Sequence, residues 1–185
     1  MLPPRPASLA PVTARRSELR VPVAIVVVTV AVFAGSLGNG FVWEDHFNIV
    51  ENPHFRGLGP AQLWWMLTAI WGDHPGRGGQ WIPLTWASLG LDYVLWGLAP
   101  VGYHLTNVVL HVLNAVLFYR VARLLLETAA PTAGPRPLAI AAAAAALFFA
   151  VHPLRAESVA WVTERRDVLS GLFFLLTVLA YLEAA

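Results

Sequence analysis

Apolar residues run almost unbroken through four stretches of the chain, and the polar residues collect between them. The first stretch, Val21 to Val42, is close to the ~20 residues that a helix needs to cross a bilayer. A second covers 102–126, a third 138–151 with six consecutive alanines, and a fourth 168–182. Two shorter apolar pieces lie in the intervening segment 43–101. "AQLWWMLTAIW" (61–71) reaches only about half a crossing at ~1.5 Å per residue, and glycines and Pro60 fence it. "WIPLTWASLGLDYVLWGLA" (81–99) is nearly long enough, but it holds Pro83, Asp92 and a tryptophan near each end. Tryptophan favours the membrane–water boundary, so both pieces read as helices lying in the interface. The pattern predicts an all-α membrane protein with about four transmembrane helices and two interfacial helices.

Composition agrees with that pattern. The 185 residues are 57% hydrophobic and 12% charged, and the mean hydropathy is +0.61, too apolar for an ordinary soluble domain. A net charge of +1 gives no field for nucleic acid, and the absence of cysteine rules out disulfides and thiolate metal sites. Residues 1–20 are rich in proline and arginine and are expected to form a disordered cytoplasmic lead. A Val-Phe-Ala site ending at Ala34 has the form of a signal-peptide junction, yet the apolar run continues past it to Val42. Arg5, Arg15, Arg16 and Arg20, with Arg120, Arg123 and Arg136 two crossings later, put the amino terminus inside by the positive-inside rule. The loop 43–101 and the segment 152–167 then share the outer face. A crossing by 81–99 would separate them.

Two clusters in those outer segments carry candidate chemistry. Glu44 and Asp45 are adjacent carboxylates at a membrane surface. Such a pair can take a proton from a hydroxyl or bind a divalent cation, and it can also be plain loop acid ending a span. The second cluster, "HPLRAESVAWVTERRD", packs His152, Arg155, Glu157, Glu164, Arg165, Arg166 and Asp167 between two apolar stretches. Arg165 and Arg166 could hold a phosphate through forked hydrogen bonds; the same residues would also make an ordinary loop with internal ion pairs. His152 and Glu157 are too few to build a metal site. His104, Asn107, His111 and Asn114 form one polar stripe along the second span, a pattern that usually serves interhelical hydrogen bonds.

"WIPLTWASLGLDYVLWGLAPVGYHLTNVVLH" and "HPLRAESVAWVTERRDVLS" together resemble the membrane half of bacterial tetratricopeptide-repeat membrane proteins. These are relatives of the animal transmembrane and tetratricopeptide repeat-containing O-mannosyltransferases. The resemblance implies a C-type glycosyltransferase fold, with an acidic pair in the first external loop where Glu44 and Asp45 stand. It implies a polyprenyl-phosphate sugar donor, usually mannose, and a Ser or Thr hydroxyl of an exported polypeptide as acceptor. On that reading Glu44 and Asp45 are catalytic, Arg165 and Arg166 bind the donor phosphate, and His152, Glu157, Asp167 and His104 support them. No cofactor is firmly implied, and a divalent metal stays open. The expected setting is the bacterial inner membrane, with the active face periplasmic or external.

The chain departs from that family pattern twice: Glu-Asp replaces the usual Asp-Asp, and Arg155 replaces a common histidine. A 34-residue repeat period is absent, so the four spans are expected to be part of a larger bundle. The competing reading is a non-catalytic membrane anchor for a tetratricopeptide-repeat scaffold.

Overall fold

The computed structural model describes residues 12–68 and 81–184, with side chains from residue 19 onward. Helix α1 (Val12–Phe33) continues into a 3₁₀ turn, Ala34–Gly38. A π-helical turn (His46–Val50), α2 (Pro60–Thr68) and α3 (Pro83–Trp96) follow. Then come α4 (Pro100–Ala129), α5 (Pro135–Val151), the short α6 (Arg155–Ala160) and α7 (Arg165–Ala184). Among the described residues there is no strand.

Among the described residues three segments are long and apolar enough to cross a membrane: Leu19–Gly38, Pro100–Ala129 and Arg165–Ala184. The third expected span, α5, is a 17-residue apolar helix. The first span stops at Gly38 rather than Val42, because "AGSLGNG" places three glycines where a helix would have to continue. Both pieces expected at the interface are helical: α3 has 14 residues, and α2 is described for 9, up to Thr68. The end of the 61–71 piece lies outside the described residues, as does residues 1–11 of the expected lead.

Helix α4 is the axis against which α1, α5, α7, α3 and α6 all pack. Ala142, Ala146 and Ala150 recur every four residues on one face of α5, fully buried like Ile25 and Ala115, and Tyr119 packs in the same cluster. Small residues at that spacing let helix backbones approach closely in a setting where lipid already solvates larger side chains. The opposite faces carry exposed Phe148, Phe174 and Tyr181, as lipid contact requires. An ion pair of 2.8 Å between Arg120 and Glu183 joins α4 to the last turn of α7. The start of α4, the ends of α1 and α5, and the start of α7 therefore lie together at the other end, with α2, α3 and α6.

That end has its own core of Ile49, Phe55, Met66, Leu89, Tyr103 and Val162. Helix α3 lies flush on the 55–57 backbone there. A Cβ at Gly90 would stand 2.8 Å from the Gly57 carbonyl oxygen and 2.9 Å from that of Phe55. Gly97, at φ +61°, then turns the chain from α3 into α4.

Candidate functional site

The two polar segments meet. Asp45 is fully buried, and its Oδ1 accepts hydrogen bonds from the Thr163 amide (2.8 Å) and the Thr163 hydroxyl (2.6 Å). Its Oδ2 accepts from the Val42 amide at 3.1 Å, and the Asp45 amide donates back to the Val42 carbonyl at 2.9 Å. This reciprocal pair closes the turn in the manner of a capping box. Between them, Trp43 sits at φ +47°, the one non-glycine residue with positive φ among those described. For a bulky side chain that conformation costs on the order of 1–3 kcal/mol, and it persists only where the surroundings over-determine it. Glu44, by contrast, points outward and is exposed.

Asp45→Asn is expected to lower stability by about 1–3 kcal/mol, because one amide oxygen cannot serve donors on both sides and the charge is lost. A thermal melt of the detergent-solubilised protein reads that shift.

Arg165 lies two residues beyond Thr163 and is fully buried. Its Nε donates to Asn107 Oδ1 (2.7 Å) and its Nη2 to the Tyr103 carbonyl (2.7 Å). Its Nη1 pairs with Asp92 and also reaches the Ser88 carbonyl at 3.4 Å. Asp92 accepts a further bond from the Thr106 hydroxyl at 2.7 Å. Burial pushes the Asp92 carboxyl above its usual range, opposed by the Arg165 charge and the Thr106 hydroxyl. One guanidinium thus ties α3 and α4 to the first residue of α7. The ion pair that forms is Arg165–Asp92, across helices, rather than one with its loop neighbour Asp167.

The remaining residues of the cluster are spread around this junction. Arg166 pairs with Glu164 and keeps 33% of its side chain exposed. Asp167 is exposed and accepts from the Ser158 hydroxyl at 3.1 Å. Arg155 stacks over the Phe149 ring at 4.7 Å. Glu157 is exposed on α6, and the His152 ring packs edge-on against Phe148. Arg155, Ser158, Asp167, His111 and Asn114 line a cavity of about 150 Å³ whose other walls are Phe118, Phe149 and Phe174. Among the described residues no three His, Asp or Glu stand close enough to hold a metal.

The polar stripe on α4 is buried. Asn107 donates to the Val159 and Trp161 carbonyls, His111 meets the Ala150 carbonyl at 2.8 Å, and Asn114 donates to the Val168 carbonyl at 2.8 Å. His104, also fully buried, faces the backbone of Asn39 and Gly40. Thr163 and Asp92 are the parts of the site to which the sequence pattern assigned no chemistry, whereas Asn107 already stood in the α4 stripe. Helical phase could have found Asp92 and the inward direction of Arg165. Asp92 repeats the buried positions Thr85 and Leu89 of α3, and Arg165 is in phase with Val168, Leu175 and Leu179 of α7.

The chain is 36% identical over 153 residues to protein O-mannosyl-transferase Tmtc1 of Drosophila melanogaster, covering 80% of this chain and 16% of that protein. It is 33% identical to mouse TMTC3, over 86% of this chain and 16% of the relative. Human TMTC4 matches at 37% identity, over 85% of this chain and 22% of its own length. No family model and no solved structure matches. An α-helical membrane protein that spans 16–22% of the length of these three relatives, the chain is related to the TMTC family of protein O-mannosyl-transferases.

Proposed function

We propose that the chain carries the acceptor-activating site of a membrane glycosyltransferase, which moves mannose from a polyprenyl-phosphate donor to Ser or Thr hydroxyls of exported polypeptides. The observation that carries this reading is the Asp45–Thr163 link, which joins the acidic loop to the arginine-bearing segment at one end of the bundle. The names of the relatives supply the reaction class.

In this reading Glu44, the exposed member of the pair, takes the proton of the acceptor hydroxyl as its oxygen attacks the anomeric carbon. The bond from that carbon to the phosphate oxygen breaks, and the electron pair leaves with the polyprenyl phosphate. A single displacement of this kind inverts the anomeric centre. Asp45 holds the loop that presents Glu44, and Arg165 holds α3, α4 and α7 in register beneath it. Arg166, a third of whose side chain is exposed, offsets charge on the departing phosphate. His152, Glu157, Asp167 and His104 shape the surrounding wall. Arg120 and Arg123 near the far end of α4 support a cytoplasmic amino terminus and a site on the periplasmic face of an inner membrane.

The test is transfer of labelled mannose from polyprenyl-phosphate mannose to a Ser/Thr peptide, in membranes containing the protein. Transfer by the wild type and its loss in Glu44→Gln support the reading. A membrane anchor of a repeat scaffold, with its polar groups paired internally for packing alone, predicts no dependence of any transfer on Glu44.

A further inference from the structure

We propose that Trp43 is a sugar-binding residue: its exposed indole, one position before Glu44, is the platform on which the hexose of the lipid-linked donor lies. This rests on the donor reading above and adds the surface that fixes the sugar. Three observations converge on it. Trp43 is 74% exposed although it adjoins a buried, hydrogen-bonded turn. It alone among the described non-glycine residues is held at positive φ. Trp161, from the segment that also carries Thr163, meets it edge to face at 5.3 Å and 85°.

An anchoring tryptophan needs none of this. Trp64 is as openly exposed, 69%, from regular helix α2. Trp81 is 57% exposed and spends its N–H on the Leu67 carbonyl at 2.8 Å. Trp43 instead is fixed in direction by a strained backbone, by Asp45 on one side and by Trp161 on the other. Trp161 makes that contact with its ring alone, since among the described residues its buried Nε1 has no hydrogen-bond partner. A pyranose presents one face of C–H groups bearing partial positive charge, and the indole face is the negative end of its quadrupole. Stacking on Trp43 would bring the ring, and with it the anomeric carbon, beside the exposed Glu44 carboxylate.

The test is a pair of binding isotherms for the protein in lipid nanodiscs, one with polyprenyl-phosphate mannose and one with the same polyprenyl phosphate lacking sugar. Trp43→Gly removes the ring while giving the φ +47° position the residue that adopts it without strain, so the fold is kept. It is expected to weaken binding of the mannosyl lipid roughly 3- to 10-fold and leave that of the sugar-free lipid unchanged. Trp43→Phe, which keeps an aromatic face, is expected to fall between the two. Equal weakening of both lipids would make Trp43 a membrane anchor and overturn the proposal. An unchanged Trp43→Gly would overturn it as well, while leaving the donor reading intact. A wild type that binds neither lipid would defeat the donor reading itself, and this inference with it.

Discussion

Arg165→Met is expected to cost about 3–5 kcal/mol, because it leaves the Asp92 carboxylate buried and unpaired. Asp92 is 2% exposed and Arg165 fully buried, so water cannot replace the lost partner without opening the α3–α4–α7 junction. The Asn107 oxygen and the Tyr103 carbonyl lose charged donors in the same step. The unfolding midpoint should fall, and α3 should become accessible to protease before the packed α4–α5 pair does. The double variant Arg165→Met/Asp92→Leu should recover much of the loss, since an apolar pair of similar volume removes the stranded charge. The pH dependence has a defined sign. Burial already raises the Asp92 pKa, and removing Arg165 takes away the charge that opposes this. A carboxyl whose folded pKa lies above its unfolded one binds more protons when folded. Its contribution is full below the unfolded value and is lost as pH rises through the folded one. The single variant should therefore lose least at acid pH and most near neutrality.

Glu44→Gln is expected to lower transfer by about 10²- to 10⁴-fold, the range that a general base contributes. The amide keeps the shape of the carboxylate and cannot take a proton. Glu44 is exposed and carries none of the hydrogen bonds that fix the turn, so stability should not move. The loss should appear in kcat, with donor binding unchanged. Asp45→Asn should behave differently: it destabilises the fold first, and its effect on transfer follows the displaced loop. The pair of variants thus separates the carboxylate that reacts from the one that holds it.

Three of the four expected spans were legible as long apolar helices because lipid imposes a simple rule: a helix crossing it must be apolar for about 20 residues. The stripe of His104, Asn107, His111 and Asn114 was legible for the converse reason, since polar groups at that depth must turn inward. The division of labour inside each pair was not. Glu44 and Asp45 are alike in a sequence, and only the capping turn shows that one is buried against Thr163 while its neighbour faces out. Arg165 and Arg166 are alike too. The phase of α7 sends Arg165 to the partner it shares with α3, 73 positions earlier in the chain. A contact of that range leaves no mark on local periodicity. The strain at Trp43 likewise follows from the Val42–Asp45 closure and not from any preference of tryptophan.

The shared site requires the two polar segments to meet at one end of the bundle. The chain has no cysteine, so spin labels can be placed at will through Trp43→Cys and Trp161→Cys. In lipid vesicles the distance between them should be a single narrow distribution well short of the ~30 Å hydrocarbon thickness. A distribution at or beyond that thickness would put the acidic loop and the arginine segment on opposite faces and contradict the shared site outright.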